Sequence, residues 1–158
     1  MKKLRFLTLA LVLLSASSLS SCRKKGCTDI DADNFDSSAE KSTTCYFRYG
    51  NIVSVITPSS VNYDPFDAPD LYVHFAKSTS SAWDYTSPTV SNSSSITATF
   101  PDFLFGNEQW DFEVYDYDTV DPDDLVCAGT FNPLEDGKDG VITITANGCT
   151  VKFQYNVK

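Results

Sequence analysis

The sequence predicts an all-β fold, an eight-stranded antiparallel β-sandwich, over residues 46–158. Three observations predict it. From Tyr46 onward, short runs rich in Val, Ile, Thr, Phe and Tyr are separated by clusters of Ser, Pro, Asn, Asp and Gly, the composition of strands and turns. Eight such runs fall within about 110 residues, the size of one sandwich with a single core. After the N-terminal segment no helical periodicity of useful length occurs.

The chain opens on a different kind of segment. Lys2, Lys3 and Arg5 precede an apolar run, Phe6 to Leu14, and small residues follow it. That run is too short to span a bilayer as a mature helix and reads as a cleaved export signal over residues 1–21. Its end, Leu19-Ser20-Ser21-Cys22, resembles a bacterial lipoprotein box. The resemblance implies cleavage before Cys22, acyl chains such as palmitate on that residue, and a lipid-anchored protein of the cell envelope, at the outer membrane. Removing the signal takes away three basic residues and no acids, which leaves nine basic against twenty-one acidic residues. Without bound cations a surface that acidic repels nucleic acid and anionic lipid alike, and nucleic acid is excluded as a partner.

Residues 22–45 form a second unit, an acylated tether and a small Cys-closed module. Arg23-Lys24-Lys25 is a short basic tether, suited to graze anionic headgroups or to serve as a flexible spacer. With Cys22 acylated, Cys27, Cys45, Cys127 and Cys149 remain. An even count in an exported chain suggests two disulfides, with three connectivities open. Cys27–Cys45 with Cys127–Cys149 keeps each bond inside one module. Zinc ligation is the alternative, but no Cys-x2-Cys spacing occurs and the one histidine, His74, sits on a predicted strand. Asp29, Asp31, Asp33 and Glu40 fall at positions 1, 3, 5 and 12 of an EF-hand loop. Asn34 and Asp36 stand where that loop needs glycine and an apolar residue, so a disulfide-closed spacer is expected instead.

The strands are expected at 50–57, 71–76, 82–90, 95–100, 110–115, 125–131, 141–146 and 149–156. Ile52 to Ile56 alternates only partly, as in a strand covered on more than one side. Asn147-Gly148 joins the last two as a two-residue hairpin. Phe75, Trp83, Phe100, Trp110, Phe112 and Phe153 are expected in the core or on strand faces rather than as a sugar-stacking platform.

The chemistry lies in two acidic loops. Val114 to Leu125 reads Val-Tyr-Asp-Tyr-Asp-Thr-Val-Asp-Pro-Asp-Asp-Leu. Asp116 and Asp118 leave an extended chain on one side, and Asp-Pro-Asp at 121–123 is a turn signature. Upstream, Ser60 to Asp70 reads Ser-Val-Asn-Tyr-Asp-Pro-Phe-Asp-Ala-Pro-Asp. Each run alone is a solvated turn. Together, Asp64 and Asp70-Leu71-Tyr72-Val73 with Tyr115-Asp116-Tyr117-Asp118 and Asp124 resemble the C2 domain of the synaptotagmin and protein kinase C type. The likeness spans residues 50–158, with Leu71 where that family has proline.

The resemblance implies a C2-type sandwich whose two loops meet at one rim and coordinate calcium through Asp64, Asp70, Asp116, Asp118 and Asp124, with Asp121 as an added oxygen donor. It also places Phe66 and Val120 at the loop tips, where they insert into membrane or pack locally. The expected function is calcium-dependent binding to phospholipid or another anionic protein or glycan partner. The alternative is a structural domain that calcium stiffens. An enzyme is not expected: the chain is short, His74 has no evident partner, and no nucleophile-elbow or metal-hydrolase signature occurs.

Overall fold

The computed structural model describes residues 23–58 and 68–158. Its strands are β1 Lys25–Gly26, β2 Lys41–Ser42, β3 Arg48–Ile56, β4 Leu71–Lys77, β5 Tyr85–Thr86, β6 Ser95–Phe105, β7 Trp110–Asp116, β8 Asp124–Phe131, β9 Gly137–Lys138, β10 Val141–Ala146 and β11 Cys149–Val157. From β3 onward they form two sheets that face each other. The first has five strands in the order β6-β3-β11-β10-β9, and the second four in the order β5-β4-β7-β8. Every pairing in both sheets is antiparallel. One short helix, α1 (Pro133–Asp136), begins at Asn132, whose side chain accepts the Leu134 amide as an N-cap.

The strands predicted from composition alternate in burial. In β7, Trp110, Phe112, Val114 and Asp116 are buried and the residues between them are half-buried, as a period of two requires. Phe153 sits at the centre of the core with no exposed surface. Its ring stacks on Phe131 at 4.4 Å and meets Phe75 edge-on at 5.4 Å. Phe100 packs at the margin of this cluster.

One turn and one strand position show their backbone chemistry directly. Asn147 and Gly148 both have positive φ, 49° and 87°, the conformation a two-residue hairpin needs and that Asn-Gly tolerates. Gly50 lies opposite Phe103, and a Cβ there would stand 2.5 Å from the rings of Phe103 and Phe105. The absent side chain lets both rings close over the strand.

Two predicted strands differ from the structure. β6 runs on to Phe105, through Pro101. It is an edge strand, and its ladder with β3 shifts register between Gly50 and Ile52. A bulge on an edge is a place where the missing proline donor leaves no ladder bond unmade. The strand expected at 82–90 is reduced to Tyr85–Thr86. Beyond it the Ser87 amide still donates to Val73 O and the Ser87 hydroxyl accepts the Val73 amide. Pro88 follows, and pairing resumes only as the Leu71–Val90 bridge.

Both disulfides join the expected cysteines, Cys27–Cys45 and Cys127–Cys149, with Cα separations of 5.1 and 6.4 Å. The N-terminal module, closed by its disulfide as expected, is also bonded to the sandwich. Its two short strands, β1 and β2, pair in parallel. The Lys24 ammonium lies 2.9 Å from Asp36. The Ser38 hydroxyl first, and then Lys24, bring the Asp36 carboxyl down to about 2. The EF-hand-like aspartates are engaged elsewhere. Asp33 accepts from Arg48 Nε at 2.6 Å, and Asp31 accepts the Asn107 amide at 2.9 Å. Arg48 also donates to the carbonyls of Pro133 and Gly137 and lies over the Tyr155 ring at 4.7 Å. Charged hydrogen bonds at a half-buried site fix orientation better than exposed ones. Nothing in the local spacing of residues 23–45 pointed to this seat.

Candidate functional site: an acidic rim

Strand register decides which aspartates share an end of the sandwich. Leu71 pairs with Asp116, and Asp116 with Asp124. The starts of β4 and β8 and the end of β7 therefore coincide, and Asp70, Asp116 and Asp124 gather there. Asp116 ends the inward-facing row that runs from Trp110, so its carboxylate is delivered to the rim from the core side. It is 1% exposed, and its Oδ1 accepts the Asp70 amide at 2.6 Å. Asp70 in turn accepts the Asn92 amide at 2.8 Å, and its carbonyl accepts the Tyr117 amide at 2.8 Å. These bonds fasten the β5–β6 and β7–β8 connections to the start of β4.

The remaining candidates sort by position. Asp118 is half-buried and its amide donates to Asp123 Oδ1 at 3.1 Å. Asp121 and Asp124 are exposed, and Val120 is 91% exposed at the tip of the loop. Asp64, Phe66 and Cys22 lie outside the described residues. Among the described residues no three His, Cys, Asp or Glu side chains converge as a ready metal group.

Asp123 is not among the ligands that the family spacing implies, yet both of its carboxylate oxygens are engaged. Oδ2 accepts the Tyr72 hydroxyl at 2.5 Å, and Oδ1 accepts the Asp118 amide. The hydroxyl, and secondarily the amide, hold its carboxyl below the ordinary value of 3.8. Desolvation, with the same Asp123 bond second, pushes the Tyr72 phenol well up. Parity was the available signal. Asp123 is two residues before Leu125, which pairs with Tyr115 on the outer face, whereas Asp124 shares its rung with Asp116.

His74, beside this group, donates to or accepts from Thr86 Oγ1 at 2.6 Å. Burial lowers its pKa from 6.5, opposed by Glu113 and Asp123. The unfolded chain therefore takes up a proton before the folded one, so stability is full above pH 6.5 and falls as pH drops toward the lower folded value. Thermal melts between about pH 7.5 and 5 should show this slope, and His74→Gln should flatten it. An unchanged slope in the variant would assign the acid sensitivity to other groups.

No family model matches the sequence, and no curated protein matches it. Solved structures do. Human GIVD cytosolic phospholipase A2 aligns with 73% of this chain at TM-score 0.55 and 17% identity, over 17% of its own length. A C2 domain of plant Extended Synaptotagmin 1 aligns with 70% at TM-score 0.51 and 14% identity. BON1-C2B aligns with 71% at TM-score 0.50 and 9% identity. The fold is that of a C2 domain. The chain spans less than a fifth of the phospholipase but covers 93% of the synaptotagmin domain and 92% of BON1-C2B. At these identities the likeness is one of fold.

Proposed function

We propose that this C2-fold chain is a calcium-dependent binding module of a bacterial envelope lipoprotein, anchored through acyl chains on Cys22, at the outer membrane. Its partner is phospholipid or another anionic surface. The observation that carries the reading is the strand register that sets Asp70, Asp116 and Asp124 at one end of the sandwich, with Asp116 buried there. Carboxylates so placed repel one another unless a cation lies among them, and an all-oxygen donor set is the chemistry of a hard cation. Asp70, Asp116, Asp118 and Asp124, with Asp64 and Asp121 from the flanking loops, would hold calcium. The ion would supply positive charge that a phosphate or carboxylate can meet.

The exposed tip residue Val120 supports contact with a bilayer over contact with a soluble anion. Calorimetry with calcium and cosedimentation with phosphatidylserine vesicles test the two halves separately. Heat on calcium addition, with vesicle binding reversed by chelator, is expected. No calcium binding at millimolar concentration would falsify the reading, whereas calcium binding without vesicle capture would leave a domain that the ion merely stiffens.

A further inference from the structure

A second surface lies away from the rim, on the outer face of the four-stranded sheet. Strand parity sends Tyr72 and His74 of β4, and Asp111, Glu113 and Tyr115 of β7, to this face. Their rings are packed on one another: Tyr72 stacks on Tyr115 at 5.5 Å and meets His74 edge-on at 4.9 Å. Trp83, expected in the core or on a strand, instead lies outside any strand and stacks on His74 at 5.5 Å. It remains 38% exposed. Both phenols donate to carboxylates, Tyr72 to Asp123 and Tyr115 to Glu113 at 2.8 Å. Trp83 borders a shallow groove whose other walls include Asp111, Glu113, Ala128 and Thr130, with no Lys or Arg in its lining. The cation at the near strand end, Lys77, is paired with Glu108.

Aromatic rings interleaved with carboxylates select by charge. An anionic headgroup is repelled, and an apolar segment leaves the carboxylates desolvated without a counter-charge. A neutral sugar stacks on the indole but does nothing for the negative charge. A guanidinium or ammonium uses both features, the ring faces through cation–π attraction and the carboxylates through charged hydrogen bonds. The acidic positions also run along the strand. Asp111 and Glu113 are spaced two residues apart, roughly 7 Å, before the neutral Tyr115. That is the repeat of an extended polypeptide with a charge on every second residue.

We propose that this face docks an extended basic segment of a partner protein, with Arg or Lys at alternate positions and one such side chain lying between the Trp83 indole and the carboxylates of Asp111 and Glu113. The site is separate from the rim and needs no calcium.

The test uses the full chain in chelator with the peptide acetyl-(Arg-Ser)4-amide, followed by calorimetry and tryptophan emission. The controls are acetyl-(Glu-Ser)4-amide and the neutral sugar cellohexaose. The basic peptide should bind, more weakly as salt rises, and perturb the emission of the exposed Trp83. Trp83→Ala should weaken it by about tenfold, and so should Asp111→Asn with Glu113→Gln. An Asp118→Asn, Asp124→Asn variant should bind as the parent does. Asn at 111 retains an acceptor for the Ser78 hydroxyl, and melting temperatures monitor folding of each variant. Three results would overturn the proposal: no binding of the basic peptide at millimolar concentration, loss of binding that follows the rim variant, or cellohexaose capture abolished by Trp83→Ala without peptide binding.

Discussion

Replacing Asp116 and Asp118 together by asparagine should abolish the rise in melting temperature that calcium gives the parent chain. A ligand that binds only the folded state stabilises it by RT ln(1 + [L]/Kd), about 2.7 kcal/mol at a hundred times Kd. Extracellular calcium modules commonly have Kd on the order of 10⁻⁴ to 10⁻³ M, so about 10 mM calcium reaches that regime at the tighter end. For a domain of this size the gain amounts to a shift of roughly 10 °C. Asparagine at 116 retains an oxygen for the Asp70 amide but takes one negative charge from the centre of the donor set. Without calcium the variant should melt within a few degrees of the parent or above it, because fewer like charges share the rim. A variant that keeps the full calcium shift would remove these two aspartates from the site.

Phe153→Ala should be the most damaging single change in the core. The ring is fully buried and touches the rings of Phe75, Phe105, Phe112 and Phe131 from both sheets. Removing it deletes that burial and leaves a cavity which a stiff sandwich only partly closes, a cost of about 3–5 kcal/mol. Against a total stability of roughly 5–15 kcal/mol, the urea midpoint should fall by about a fifth or more. Calcium should recover part of the loss, since its linkage to the folded state is independent of the core. A change below about 1 kcal/mol would mean that the two sheets do not share this cluster.

Much of the frame was legible because strand and turn composition is local. The strand from Trp110 announces itself by period two, and the hairpin at Asn147-Gly148 by its φ requirements. The placement of Asp70 with Asp116 followed from the family resemblance and agrees with the register between β4 and β7. What spacing did not reveal depends on partners far along the chain. Asp123 acquires its role from Tyr72, fifty-one residues away. Trp83 is as apolar as Trp110, and only the late start of pairing, at Tyr85, leaves it outside the core. Arg48 reaches carbonyls at Pro133 and Gly137 across separations of 85 and 89 residues. No local pattern encodes such a contact.

That Arg48 seat has a geometric consequence. The Cys27–Cys45 module is fastened at Asn107, before β7 begins, while Asp116 ends the same strand. The strand sets the two about 20 Å apart along its axis. A chain moored by the residues preceding Arg23 would hold its carboxylates at the far pole, turned outward. It would serve as a standoff that reaches across a gap to an apposed surface, and would have little means of folding back onto its own mooring.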